Sequence, residues 1–252
     1  MNAVIQKTLT QIEQQENCRI LLAVESGSRA WGFSSSDSDY DVRFVYVRPK
    51  EHYLKLEQTR DVIELPIDDT LDVNGWDLKK LLQLLQKSNP TVFEWFSSPI
   101  VYRSSAYADR LMQFLPQYFC SKSGLWHYLS MAESNYRECL RGDMVKAKKY
   151  FYALRPVLAC RHILATGTPP PMEFSKLVQT QLEDSLKPTV AYLLDLKLHM
   201  PELHLIPRID ALNAYLDKSI LEIRAQIEAL PKEPLRSWEP LNELFLQAWE
   251  LI

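Results

Sequence analysis

Apolar positions in the first hundred residues fall in short runs separated by turn-forming clusters, whereas later ones recur at helical spacing over long stretches. The polar segment Met1–Gln15, with Val4, Ile5, Leu9 and Ile12 as its apolar positions, predicts an amphipathic helix. Arg19–Val24 is a compact apolar run and Asp41–Val47 is rich in Val, Phe and Tyr, so both read as strands. Asp61–Leu65 and Leu71–Val73 flank a turn made of Pro66, Asp68 and Asp69, which predicts a hairpin. Asp77 is placed to cap a helix whose Leu78, Leu81, Leu82 and Leu85 recur at i, i+3, i+4 and i+7. Ser88-Asn89-Pro90 ends that helix.

Beyond residue 100 the pattern predicts helices near 104–115, 124–141, 144–166, 172–185, 189–199, 208–229 and 238–251. Gly142, Gly167 with the Pro169–Pro171 run, and Pro201 punctuate them. The expected class is therefore α+β: a small mixed sheet with flanking helices over residues 1–100, then a helical domain over residues 101–252 that closes a cleft against it. The boundary is expected between Ser98 and Ser105, where Pro99-Ile100-Val101-Tyr102 is apolar enough to pack. No internal repeat of fixed period and no low-complexity segment is present.

Composition narrows the class. The chain has 252 residues, 46% apolar and 24% charged, which excludes a disordered, collagen-like or coiled-coil chain. A net charge of −3 gives no global attraction for nucleic acid, so such a contact needs a local basic patch. Cys18, Cys120, Cys139 and Cys160 lie too far apart for a zinc knuckle or a redox pair. No signal or transmembrane segment is read, and the expectation is a cytoplasmic protein with reduced thiols and no membrane partner. His52, His127, His199 and His204 show no metal-ligand spacing.

The chemistry is concentrated in Glu25-Ser26-Gly27-Ser28-Arg29-Ala30-Trp31-Gly32-Phe33 and the following Ser34-Ser35-Ser36-Asp37-Ser38-Asp39-Tyr40-Asp41-Val42. A strand ends in Gly-Ser, a turn or short helix follows, and a second strand starts with two acids one residue apart. Alternation along a strand puts Asp39 and Asp41 on the same face. Adjacent carboxylates repel unless a cation neutralises them, and Mg²⁺ prefers such oxygen ligands together with substrate phosphates. The Gly27-Ser28 turn lets backbone approach closely, so its N–H groups and hydroxyl suit terminal phosphates. The plainer reading of Asp-x-Asp in a Ser-rich stretch is a solvated turn, and Asp37 reads as a turn former.

Gly27-Ser28, ten residues, Asp39, one residue, Asp41 resembles the signature of the DNA polymerase β-like nucleotidyltransferase superfamily. Arg29 and Gly32 resemble its Gly-Ser-Arg-Ala-x-Gly form, and Asp37-Ser38 its Asp-Ser-Asp lead-in. Gly75-Trp76-Asp77-Leu78-Lys79-Lys80, Lys87-Ser88-Asn89-Pro90, Glu94-Trp95 and Ser98-Pro99-Ile100 are similar to one branch, the RNA-repair-associated predicted nucleotidyltransferases of RlaP or YcgL type. Lys148–Pro156 is similar to the helical part of that branch. The resemblance implies a polymerase β-like fold and transfer of an NMP from an NTP, with Mg²⁺, or Mn²⁺, held by Asp39, Asp41 and a third carboxylate. It implies an RNA end as acceptor; a protein hydroxyl or a small molecule stays open.

For the third carboxylate the choice is Asp72, an acid between apolar neighbours on a short strand, where a charge without a partner is costly. Glu64 has the same property and Asp77 is the other alternative, although Asp77 is better explained as a helix cap. Gly27, Ser28 and Arg29 are candidates for holding the triphosphate, with Arg29 equally suited to pairing with a nearby acid. Trp31 and Phe33 are expected to pack under the loop.

On the helix at 144–166, Lys148, Tyr152, Arg155, Ala159 and His162 share one face, with Lys149 beside it. Ala147, Phe151, Leu154 and Leu158 form the adjoining core stripe, and Pro156 is expected to kink the helix or start another. Lys148, Lys149, Tyr152 and Arg155 are therefore candidates for nucleotide or RNA phosphate, against the plainer reading of a solvated face. Arg155 and His162 also have the spacing of HEPN-type ribonucleases, which would cut RNA without metal. A catalytically idle nucleotide-binding module is the remaining alternative, disfavoured because binding alone does not require two adjacent acids.

Overall fold

The apolar runs of the N-terminal part assemble into a five-stranded mixed sheet in the computed structural model, which describes residues 1–35, 38–66, 70–199, 205–231, 233–234 and 236–250. The turn expected at Asp37, the hairpin turn at Asp68 and Asp69, the break at Pro201, and His204 lie outside the described residues. The chain divides into two compact units, 1–30 with 39–118 and 235–252, and 31–38 with 119–234.

The first unit opens with helix α1 (Asn2–Gln15), strand β1 (Arg19–Glu25), the one-turn α2 (Gly27–Ala30), β2 (Tyr40–Val47) and the short α3 (Lys50–Tyr53). It continues with β3 (Val62–Glu64), β4 (Leu71–Asp77), α4 (Leu78–Gln86), α5 (Pro90–Phe96), β5 (Val101–Ser104), α6 (Ala106–Met112) and α7 (Leu115–Tyr118). The strand order is β3-β4-β2-β1-β5, with β2 and β4 parallel and every other pair antiparallel. The amphipathic α1 lays Ile5, Leu9 and Ile12 on one sheet face, against Ala23, Val42, Phe44, Tyr46 and Val73. Because side chains alternate, the residues between these (Asp41 and Arg43 on β2, Asp72 and Asn74 on β4) stand on the other face. Phe44 and Gly75 are register partners, and a Cβ on Gly75 would meet the Phe44 ring at 2.2 Å, so only glycine lets that ring lie across β4.

The second unit contains α8 (Ser121–Cys139), β6 (Met144–Lys146), α9 (Lys148–Thr166), α10 (Phe174–Gln181), a 3₁₀ turn (Asp184–Leu186), α11 (Lys187–His199), β7 (Leu205–Pro207) and α12 (Asp210–Ala229). The chain then returns to the first unit with α13 (Glu239–Gln247). Antiparallel α8 and α9 make the main packing pair, covered by α10 and α12, and β6 pairs with β7 as a two-stranded ribbon. Phe33 packs here: it stacks on Phe151 at 5.0 Å and meets Phe174 edge-on at 5.4 Å. The packing expected of Trp31 and Phe33 under the loop is found instead against α9 and α10 of this unit.

The mixed α+β class holds, with a small sheet and a helical region, but several local expectations do not. Asn89 and Pro90 do more than end α4: the Asn89 carboxamide accepts from Thr91 N–H at 2.9 Å and Pro90 occupies the first helical position, so they also start α5. Residues 144–146 are a strand, so the helix begins at Lys148, and Pro156 sits inside one continuous α9 that ends at the left-handed Gly167. The segment 104–115 splits into β5's end, α6 and the start of α7, and 172–185 into α10 and a 3₁₀ turn. The compact units also divide elsewhere than at residue 100. Tyr107 on α6 donates to the Leu244 carbonyl at 2.9 Å and Tyr118 to that of Ser237 at 2.8 Å, which holds 101–118 and the C-terminal helix in the sheet unit. Among the described residues, no helix is long and apolar enough to cross a membrane.

Candidate active site

Asp41 and Asp72 are register partners on the parallel strands β2 and β4. Their carboxylates converge on one atom: the same Arg43 nitrogen lies 3.0 Å from Asp41 Oδ1 and 2.7 Å from Asp72 Oδ2. Burial pushes the Asp41 carboxyl above its ordinary value, the charges of Asp72 and Asp39 push the same way, and the Arg43 guanidinium opposes them. Asp39 is exposed and directly precedes β2.

The turn before this strand is built around Gly27. Its φ of +56° belongs to the left-handed region, and a Cβ there would lie 2.0 Å from Asp41 Oδ2. Ser26 N–H donates to the Asp41 carbonyl at 2.8 Å, tying the Gly27-Ser28 turn to β2. Arg29 lies with its guanidinium 3.7 Å from the Tyr40 ring centroid and donates to the Asp39 carbonyl at 3.1 Å. It therefore braces the start of β2.

Two residues that sequence reasoning gave no role complete the arrangement. Glu25 is fully buried at the end of β1, and its carboxylate accepts from Asp41 N–H at 2.7 Å and from the Tyr102 hydroxyl. Burial raises the Glu25 carboxyl and the Asp41 charge adds to that, against those two hydrogen bonds. Arg43 is the other. Both had a signal: Glu25 is a lone acid closing an apolar strand, and Arg43 continues the alternation of Asp39 and Asp41.

Among the alternatives for a third carboxylate, Asp77 caps α4, accepting from Lys79 N–H at 2.8 Å and from the Tyr53 hydroxyl at 2.8 Å, and stands five residues further along β4 than Asp72. Glu64 is exposed on β3 and bound to Arg60 and to Asn74 at 3.0 Å. Only Asp72 faces Asp41. As they stand, no three acidic, His or Cys side chains among the described residues are gathered to enclose a metal. The hard oxygen donors of Asp41 and Asp72 nevertheless converge on a point where a cation is already held, which suits Mg²⁺ or Mn²⁺.

In the second unit α9 is buried nearly all round between Ala153 and Cys160, and Arg155 is only 1% exposed. Arg155, expected with Lys148, Lys149 and Tyr152 to meet nucleotide or RNA phosphate, is therefore neither on a solvated face nor presented to phosphate. The Arg155 guanidinium lies 4.6 Å from the Trp31 ring centroid and 3.5 Å from the Met172 carbonyl oxygen. Tyr152 one turn earlier, and Lys148 and Lys149 about two turns earlier, are half-exposed, with the Lys149 ammonium 5.5 Å from the Tyr152 ring centroid and Tyr152 edge-on to Trp31 at 5.7 Å. His162 is half-exposed and bonded to the Thr168 hydroxyl at 3.3 Å, and burial lowers its pKa. With Arg155 buried, the Arg155–His162 pair does not present both groups to a substrate.

Comparison with known proteins agrees with the N-terminal motif. Residues 1–247 match the family described as RlaP, RNA repair pathway DNA polymerase beta family. The Uncharacterized protein YcgL of Bacillus subtilis (strain 168) is 46% identical over 244 residues, covering 96% of this chain and 94% of that protein. A crystal structure of a nucleotidyltransferase-like protein from Exiguobacterium sibiricum 255-15 aligns over 89% of this chain and 75% of its own at 13% identity and a TM-score of 0.32, too low a likeness to bear on the argument. With nearly its whole length matched and a relative at that identity, the chain belongs to the RlaP family, a polymerase β-like nucleotidyltransferase family of RNA repair.

Proposed function

We propose that this chain is a metal-dependent nucleotidyltransferase that moves an NMP from an NTP to the hydroxyl of an RNA end. The observation that carries the reading is the Asp41–Asp72 pair, facing in register across β2 and β4 with Asp39 two residues earlier and the Gly27 turn against Asp41. In the transfer, the acceptor oxygen bonds to the α-phosphorus and the bond from that phosphorus to the oxygen bridging to the β-phosphate breaks. Pyrophosphate leaves with the electron pair, and the acceptor's proton passes to water or a neighbouring carboxylate.

Mg²⁺, or Mn²⁺, supplies neutralisation of the phosphates and of the attacking and leaving oxygens when bound. Asp39, Asp41 and Asp72 are the residues assigned to hold it. Glu25 fixes the Asp41 backbone through its N–H, and Arg29 braces Asp39 through its carbonyl. The Gly27-Ser28 backbone and the Ser28 hydroxyl are assigned to the terminal phosphates. On the helical unit, Lys148, Lys149 and Tyr152 form a basic and aromatic surface suited to phosphate and to a base. Arg155 serves there as an internal brace for Trp31. The RNA acceptor is supported by the family's description.

Incubation with each α-labelled NTP, Mg²⁺ or Mn²⁺ and a bulk RNA pool tests this. Label on RNA that disappears in an Asp39→Ala/Asp41→Ala double variant is the expected result. Label on protein redirects the acceptor, and metal-independent loss of RNA overturns the reading in favour of a ribonuclease.

A further inference from the structure

Arg43 makes four hydrogen bonds from one guanidinium. One nitrogen donates to the carbonyls of Val42 at 3.2 Å and Asp72 at 3.1 Å, and the other bridges the Asp41 and Asp72 carboxylates. Its side chain is only 19% exposed. A guanidinium holds several N–H donors in one plane, so a single Arg43 nitrogen serves both carboxylates while the other is occupied by backbone carbonyls. Without it, Asp41 and Asp72 would face each other as like charges on adjacent strands.

We propose that Arg43 is the resident counter-cation of the Asp41–Asp72 pair, and that a divalent cation binds these carboxylates only by displacing its guanidinium. This inference rests on the assignment of Asp41 and Asp72 as metal-holding residues. The nitrogen that bridges them stands within 3.0 Å of both oxygens, the space a shared ion would need, so the two cations exclude each other. Arg43 therefore sets how weakly the protein takes up metal by itself. It also keeps the two strands' acids from repelling until metal arrives.

The test is a titration with Mn²⁺ alone, in which the spectroscopic signal of free Mn²⁺ reports binding, and far-ultraviolet circular dichroism reports the fold. Arg43→Gln is expected to bind Mn²⁺ more tightly than the natural protein by about ten-fold or more, the low end of what an opposite charge at this distance does to a carboxylate's affinity for a proton. Arg43→Lys keeps the charge but not the fork, is expected to fall between the two, and carries the test if Arg43→Gln fails to fold. Equal or weaker Mn²⁺ binding in folded Arg43 variants, with binding still lost in Asp41→Asn, overturns the displacement proposal alone. Binding unaffected by Asp41→Asn, or absent from every folded variant, overturns the metal assignment beneath it.

Discussion

Gly27 and Asp41 touch so closely that any side chain at 27 would collide with the carboxylate: the nearest oxygen lies 2.0 Å from where a Cβ would stand. The turn and the strand acid are therefore one structural unit, although thirteen residues separate them in sequence.

Gly27→Ala meets two penalties at once. The left-handed φ costs about 1 kcal/mol of stability, and the new methyl group drives Asp41 from its place. NMP transfer is expected to fall by about a hundred-fold, as displacements of this order produce. The comparison of thermal unfolding with transfer rate separates the modest first effect from the large second one.

Asp72→Asn distinguishes the carboxylate facing Asp41 from its competitors. Loss of transfer by about a hundred-fold or more is expected with the fold retained, while Glu64→Gln stays near the natural rate. An outcome in which Glu64→Gln is the damaging change would contradict the register argument.

Asp77 carries a pH prediction. Burial holds its carboxyl above the ordinary 3.8, against the hydrogen bonds from Lys79 N–H and the Tyr53 hydroxyl. A raised acid favours folding while protonated: its contribution is full below 3.8 and is lost as pH rises through the elevated value. Asp77→Asn keeps a capping oxygen without the charge, so its stability relative to the natural protein should improve as pH rises through that window. Asp77→Ala, which removes the cap, should cost about 1 kcal/mol. Unfolding midpoints taken across acidic and neutral pH check both.

Arg155 and Lys149 should separate cleanly. Arg155→Ala empties a fully buried position beside Trp31 and is expected to cost about 2–4 kcal/mol of stability. Lys149→Ala, half-exposed, should change stability by under about 1 kcal/mol and raise the KM for NTP. A folded Arg155→Ala with unchanged melting and a raised KM would return Arg155 to the substrate surface.

Much of this was readable from spacing alone. The amphipathic α1, strands β1 and β2, the Asp77 cap and the α4 heptad-like leucines follow from local periodicity and local capping chemistry. The Asp41–Asp72 register was not readable, because thirty residues of intervening chain leave the pairing of β2 with β4 undetermined by any local rule. Asn89-Pro90 is ambiguous in the same physical way: it is unfavourable inside a helix and favourable at the start of one. Met144–Lys146 hid within a helical pattern because a three-residue strand is too short to show a period of two. Spacing shows that Arg155 shares a face of α9 with Tyr152, but that Trp31 and Met172 lie over Arg155 is a tertiary fact no local rule supplies.

Metal-dependent transfer at Asp39, Asp41 and Asp72 would be read directly as pyrophosphate release from NTP with an RNA pool present. Release is expected to require Mg²⁺ or Mn²⁺ and to be lost in Asp41→Asn and in Asp72→Asn, both of them folded. Release that persists in those variants, or that proceeds in the presence of a chelator, would contradict it.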